Sequence, residues 1–208
     1  MRALTRTRGV MDVLVGFRSD AKSTAVVENG RAVPTEHTAI NKWRGKDRHV
    51  YLRYNKGAIV SSDVFPSAAD DDRQEVPEEL KKSTVDPLTA ALSLMVAAGA
   101  DKGCADQIPV FDGRRRYDLV CTASAEASEA AGTVFQRSYL FSIVAGRQKH
   151  PFWPQSKTPK ALTLWFEKVD PRLPPIVVRI AARSGLIGYS VSLNRLRIDG
   201  QDLQFTSR

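Results

Sequence analysis

The amino-acid sequence predicts a mainly β protein: a curled antiparallel sheet forming an open or partly closed barrel, with one helix at about residues 87–98 packed against it. Three observations carry that expectation. Segments such as Arg48 to Tyr54 set His49, Tyr51 and Arg53 against Val50, Leu52 and Tyr54, the two-residue period of a half-buried strand. Tight-turn pairs recur between such segments, with Asn29-Gly30 the strongest hairpin signal. Only Asp86 to Gly99 combines a cap, a Pro at the first helical position, an apolar stripe and a terminal Gly.

In chain order, Arg2 to Thr7 alternates as a strand, and Gly9 to Val15 reads as one helical turn between strands. A meander follows: Phe17 to Val27, Arg31 to Trp43 with Pro34 at an edge or bulge, Arg48 to Tyr54, and Ala58 to Phe65. Turns at Asn29-Gly30, 44–47 and Asn55-Lys56-Gly57 join them. Pro66 to Lys82, with Asp70-Asp71-Asp72 inside it, reads as an exposed, mobile loop, since its aspartates lack the ligand spacing of a calcium loop. In the helix, Leu88, Ala91, Leu92 and Met95 form the expected buried stripe.

Thr122 to Gly132 is small and polar and reads as a wide hairpin connection. Phe135 to Val144 is a strand with Phe135, Tyr139, Phe141 and Ile143 on one face. Pro151-Phe152-Trp153-Pro154 is a rigid aromatic loop, expected to fold back over an open sheet end. The final meander runs through Ala161 to Lys168, Ile176 to Ala182 and Ile187 to Leu196, the last with Ile187, Tyr189, Val191 and Leu193 inward. Arg195 to Arg208 is a polar tail.

These elements are arranged around Val110 to Leu119. Asp112-Gly113 is a turn pair, because Gly reaches positive φ freely and Asp bonds its own backbone. In the strand that follows, Arg114, Arg116 and Asp118 share one face, and Arg115, Tyr117 and Leu119 the other. Asp112, Arg114, Arg116, Tyr117 and Asp118 are therefore the candidate charge cluster. One reading is structural: Arg114 or Arg116 pairs with a carboxylate of a neighbouring strand, Asp118 being the nearest local candidate, and fixes register. The other is an anion clamp, for which the guanidinium fork is suited.

Composition bounds the function. Over 208 residues, 42% apolar and 26% charged is ordinary for a globular chain. The longest apolar run, Leu88 to Ala100, falls short of the roughly 18 residues of a membrane span and is broken by Thr89 and Ser93, so an integral membrane protein is not expected. A net charge of +8, from 31 Lys and Arg against 23 Asp and Glu, favours anionic surfaces such as nucleic acid or phospholipid headgroups, although the charges are scattered. Cys104 and Cys121 are the candidate disulfide, against two buried free thiols. With no Cys-x-x-Cys pair and with His37, His49 and His150 far apart, neither a metal nor another cofactor is expected.

No phosphate-binding Gly-rich loop, Gly-x-Ser-x-Gly elbow or His-Glu-x-x-His occurs, and the expectation is a protein that is not an enzyme. Two rivals stand beside it. One is a hydrolase with an unrecognised site, Cys104 or Cys121 with His150 being the pair it would use. The other is a basic nucleic-acid-binding β domain, with Trp43, Tyr51 and Tyr54 amid Arg44, Lys46, Arg48 and Arg53; those aromatics read more simply as sheet core, which counts against nucleic acid.

Phe111-Asp112-Gly113-Arg114-Arg115-Arg116-Tyr117-Asp118-Leu119, preceded by Val85-Asp86-Pro87-Leu88-Thr89-Ala90, resembles the bacterial domain of unknown function 3108 family. Thr7 to Asp12 and Trp43 to Lys46 extend the resemblance over most of the chain. It implies a periplasmic, cell-envelope protein of Gram-negative type, and one β-rich domain over 1–208 whose signal peptide and first strands are not in this chain. It also implies a second cysteine in the strand at Phe135 to Val144, where Arg137 stands, so Cys121 is a substitute partner for Cys104. Leu164-Trp165-Phe166-Glu167, with Asp170 and Leu173-Pro174, is similar to a strand-turn-strand of periplasmic lipoprotein carriers, which are open β half-barrels. The function implied is non-catalytic binding of a lipid-like or apolar ligand, or of an envelope partner.

Overall fold

The computed structural model describes residues 1–7, 16–43, 45–100, 107–129, 132–149, 161–184 and 187–205. The expectations for Gly9 to Val15, Cys104 and the Phe152-Trp153 loop lie outside them. The chain is mainly β, in antiparallel sheets that stay open among the described residues. It divides into two compact units.

The first unit holds Met1–Leu94, Ile108–Leu119 and Ser142–Phe152. Its five-stranded meander, in spatial order, is β1 (Arg2–Arg6), β2 (Arg18–Glu28), β3 (Arg31–Trp43), β4 (Lys46–Asn55) and β5 (Ala58–Phe65). Asn29-Gly30 and Lys56-Gly57 make the hairpin turns with positive φ throughout, as their sequences require. Pro34 sits at a register shift opposite Thr24 and Ala25, where a missing N–H costs least. The inner face gathers Ala39, Val50, Leu52 and Tyr54 with Val76, Phe111 and Ala145 into one core.

Two helices follow, α1 (Glu78–Lys81) and α2 (Pro87–Gly99). Asp86 accepts the Leu88 and Thr89 N–H groups at 3.0 Å each, the N-cap that the sequence implied. The buried stripe differs from the expected one. Ala90, Leu94, Met95 and Ala98 are buried, while Leu88, Ala91 and Leu92 are only partly covered. This helix is apolar nearly all round, so periodicity could not select its inner face; the cap at Asp86 and the buried Thr89 turn it.

Eight further strands complete the described chain: β6 (Gln107–Phe111), β7 (Arg116–Glu129), β8 (Gly132–Ala145), β9 (Ala161–Glu167), β10 (Ile176–Ser184), β11 (Ile187–Ser192), β12 (Arg195–Ile198) and β13 (Gln201–Gln204). The six strands β11-β10-β9-β8-β7-β6 form one sheet in that order. Thr122 onward is not a wide connection, because β7 runs on to Glu129 and β8 already starts at Gly132. Small polar residues are weak strand formers, but the ladder with neighbouring strands overrides their propensity.

The second unit holds Met95–Gln107, Val120–Phe141 and Trp153–Arg208. Tyr139, Leu164, Phe166, Ile176 and Ala182 are buried in it, and the Phe135 and Phe166 rings stack at 5.1 Å. Arg137 is buried too, its guanidinium over the Phe135 ring. Ile187 to Leu196 is not one strand: β11 ends at Ser192, and Arg195–Ile198 pairs instead with Gln201–Gln204 across an Asp199-Gly200 turn. Val191, expected inward, is exposed.

Candidate functional site

The central motif begins with a side-chain-locked turn. Asp112 Oδ1 accepts the N–H groups of Arg114 at 2.9 Å and Arg115 at 2.6 Å, and Asp112 Oδ2 accepts Arg115 Nε at 2.9 Å. Gly113 has φ +87, and a Cβ there would stand 2.5 Å from Val50 Cγ1, so the turn admits no larger residue. Gly146, at the end of β8, is tighter still, since its Cβ would fall 2.1 Å from the Arg114 carbonyl oxygen.

Arg114 therefore lies in this turn, not on β7, which starts at Arg116. Its guanidinium donates to the Pro66 carbonyl at 2.8 Å and to the Phe65 carbonyl, and stands 3.5 Å from Asp71 Oδ2. Asp71 is the hub of this end of the unit. Arg48 grips it bidentately at 2.9 and 2.5 Å, and Arg73 Nε donates to it at 2.7 Å. Burial raises the Asp71 carboxyl, but the bonds and charges of Arg48 and Arg73 prevail and hold it below the usual range. The loop expected to be exposed is thus pinned by its middle aspartate, whose side chain is only 8% exposed, because three guanidiniums converge on it.

Arg116 and Asp118 pair with each other at 2.7 Å, both side chains mostly covered, as local partners on β7. Tyr117 points the other way and is buried; burial first, and then the Asp112 charge, raises its phenol well above the ordinary value. Of the motif's charged residues, Arg114 joins Asp71, Arg48 and Arg73, Arg116 pairs with Asp118, and Asp112 pairs with Arg115 at 2.8 Å within the turn. Cys121, further along β7, is disulfide-bonded, and no described cysteine is free; Cys104 lies outside the described residues.

A second polar group lies under the helix start. His37 Nδ1 stands 2.8 Å from Ser23 Oγ and 3.1 Å from Asp86 Oδ1, Ser23 Oγ donates to Asp86 at 2.6 Å, and Thr89 Oγ1 donates to Asp86 Oδ2 at 2.5 Å. All four side chains are buried. The residue types are those of a hydrolytic triad, but the geometry is not. Ser23 and Asp86 meet the same ring nitrogen, whereas a base must accept from the nucleophile at one nitrogen and donate to the acid through the other. The arrangement anchors a helix cap to the sheet.

The outer face of the five-stranded sheet is open to solvent. Register places Leu4, Asp20, Ile40, His49 and Phe65 side by side across all five strands. Leu4 is 73%, Ile40 57% and Phe65 52% exposed. His49 stacks on Phe65 at 5.4 Å and meets Tyr51 at 5.1 Å. The neighbouring row on the same face is Arg6, Arg18 and Lys42, ending at Asp47. Trp43 and Tyr51 are exposed, contrary to their reading as core; Tyr54 alone of the three is buried. Exposure of the odd positions of β4 follows from Val50, Leu52 and Tyr54 taking the inner face.

Among the described residues no group of three or more His, Cys, Asp or Glu gathers as a metal site, and no helix is long and apolar enough to cross a membrane. No curated protein and no solved structure matches the chain. A family model described as "Protein of unknown function (DUF3108)" matches residues 1–190, through these ion-pair groups, the capped helix and the disulfide-bonded Cys121, and the chain belongs to that family.

Proposed function

We propose that this protein is a non-catalytic component of the bacterial cell envelope that holds a lipid-like or apolar ligand, or an apolar segment of an envelope partner, on the outer face of its five-stranded sheet. The observation that carries the reading is the exposure of Leu4, Ile40 and Phe65 on alternate strands of one row, with Asp20 and His49 between them and Tyr51 on the same face. Apolar side chains aligned on a solvent face point to something that covers them. The disulfide at Cys121 supports an oxidising compartment, the periplasm. The buried polar groups are spent on holding the scaffold, which supports a binding role over a catalytic one.

The test is binding of an apolar fluorescent dye, Nile red, to the full chain and to Ile40→Ser/Phe65→Ser. The reading expects blue-shifted emission with the wild type and its loss in the variant, with unchanged circular dichroism. Equal emission from both would sink it. Fractionation of cells expressing the native gene tests the compartment, and a cytoplasmic product would overturn that part.

The exposed Tyr51, on the same face of β4 as Arg53, favours a second reading, a single-strand nucleic-acid groove. Filter binding with a salt titration separates the two, since a nucleic-acid site loses affinity steeply with salt.

A further inference from the structure

We infer that the outer face of the five-stranded sheet docks on an anionic phospholipid bilayer, with lipid phosphates at Arg18 and Lys42 and the acyl region against Leu4, Ile40 and Phe65. The inference rests on the apolar-face reading above and names its partner.

The first argument is a row of like charges. Arg6 is directly opposite Arg18, and Arg18 is directly opposite Lys42, so three cations stand on adjacent strands of one face. Like charges in opposed positions destabilise a sheet, and Asp47, 3.9 Å from Lys42, answers only the end of the row. An anion between the strands offsets that repulsion. Among the described residues a hollow of about 350 Å³ lined by Gly16, Arg18, Lys42 and Gly45 lies at this place, large enough for a phosphate group.

The second argument is what surrounds the row. The carboxylates of the face are already engaged: Asp20 with Arg2 at 2.5 Å, and Asp63 with His49 at 3.6 Å. Glu36 lies directly opposite Arg53. Arg6, Arg18 and Lys22 have no carboxylate partner among the described residues, so the β1–β2 side of the face carries excess positive charge. The row Leu4, Asp20, Ile40, His49 and Phe65, with its apolar members on alternate strands, runs beside the cations, two residues along each strand, about 7 Å away. Cations beside exposed apolar side chains are the pattern of an interfacial surface, where basic residues meet phosphates and apolar ones reach the acyl boundary.

The third argument is shape at the scale of the sheet. The face is five strands wide, about 19 Å across, so the cation row and the row beside it are spread over a width that one bilayer surface meets at once. A bilayer covers an open face without enclosure.

The test is co-sedimentation of the full chain with vesicles of phosphatidylglycerol and phosphatidylethanolamine, against vesicles of phosphatidylcholine alone, at low salt and at about 0.15 M. Binding to the anionic vesicles should exceed that to the neutral ones by at least about tenfold. Arg18→Glu/Lys42→Glu should lower it about thirtyfold or more with little change in thermal stability, because the carboxylate introduced on β2 would face Arg6 while the one on β3 would face Asp47, which leaves one attractive and two like-charge contacts along the row, as in the wild type. Ile40→Ser/Phe65→Ser should bind at low salt but be released at about 0.15 M. Equal binding to both vesicles, no binding, or wild-type binding by the charge-reversed variant overturns the inference. So does preference for free inorganic phosphate or for single-stranded DNA over the vesicles. Loss of vesicle binding with Nile red binding intact removes the bilayer and leaves the apolar-face reading; loss of both removes both.

Discussion

Asp86 and His37 meet 3.1 Å apart with neither side chain reaching solvent, so the cap of α2 is tied to β3. Removing the carboxylate costs the cap and leaves His37 and Ser23 without their buried acceptor. Asp86→Ala should lower unfolding free energy by about 3–5 kcal/mol. Asp86→Asn keeps a cap acceptor and should cost less. Urea denaturation of both variants checks this, and equal costs would show that the charge contributes little.

Acid should weaken the fold through the same residue. Burial raises the Asp86 carboxyl, but the hydrogen bond and charge of His37, with the Ser23 and Thr89 hydroxyls, outweigh it and hold the value low. Asp71 is depressed as well, by Arg48 and Arg73 against burial. A depressed carboxylate binds fewer protons folded than unfolded, so its stabilisation is complete above the unfolded value of about 3.9 and is lost as pH falls through the folded one. Unfolding free energy measured from pH 7 to pH 2 should fall chiefly below about pH 4. Asp86→Asn should flatten that fall, and an unaltered slope in the variant would refute the assignment.

Asp71 joins three arginines, and its loss leaves like charges facing each other. The Asp71–Arg48 pair should show a coupling on the order of 1–3 kcal/mol in a double-mutant cycle. Arg116→Ala should cost about 1–3 kcal/mol through the orphaned Asp118. Arg114→Ala should loosen the 66–77 loop as well, visible as faster amide exchange there. No stability change in any of these would reduce the cluster to surface charge.

Gly146→Ala should be among the most damaging single substitutions. The new methyl would meet the Arg114 carbonyl at 2.1 Å in a backbone held at φ +79. The expected loss is on the order of 3–5 kcal/mol, read from the urea midpoint or, if the variant does not accumulate, from soluble yield. Gly200, at φ +82 with nothing within 4 Å, is the control: Gly200→Ala carries only the backbone strain.

Reduction with a phosphine should lower the melting temperature, corresponding to about 2–4 kcal/mol, and an unchanged melting temperature would show that the Cys121 disulfide does not hold the fold. Non-reducing peptide mapping should return Cys121 joined to Cys104, the other cysteine of the sequence.

Whatever depends on neighbours along the chain was legible in the residues alone. The turn signals that flank them placed the strands Arg31–Trp43 and Ala58–Phe65 at the bounds they have. Asn29-Gly30 and Asp112-Gly113 turn because local sterics and the Asp side chain demand it, and Asp86-Pro87 starts the helix for the same kind of reason. The pairing of Arg116 with Asp118 was legible as well, since two residues along a strand share a face.

Which distant groups meet was settled by folding in three dimensions. Nothing local marks Asp71, rather than Asp70 or Asp72, as the acceptor of Arg48 from β4 and Arg114 from the turn before β7, because an ion pair has no sequence period. Nor does composition select the buried stripe of a helix that is apolar on every side, or stop β11 at Ser192. The row Arg6–Arg18–Lys42 and the row Leu4–Ile40–Phe65 are each drawn from strands that only register brings together. Strand alternation tells which residues share a face of one strand; hydrogen-bond register between strands, set by turns and packing together, decides what those faces spell.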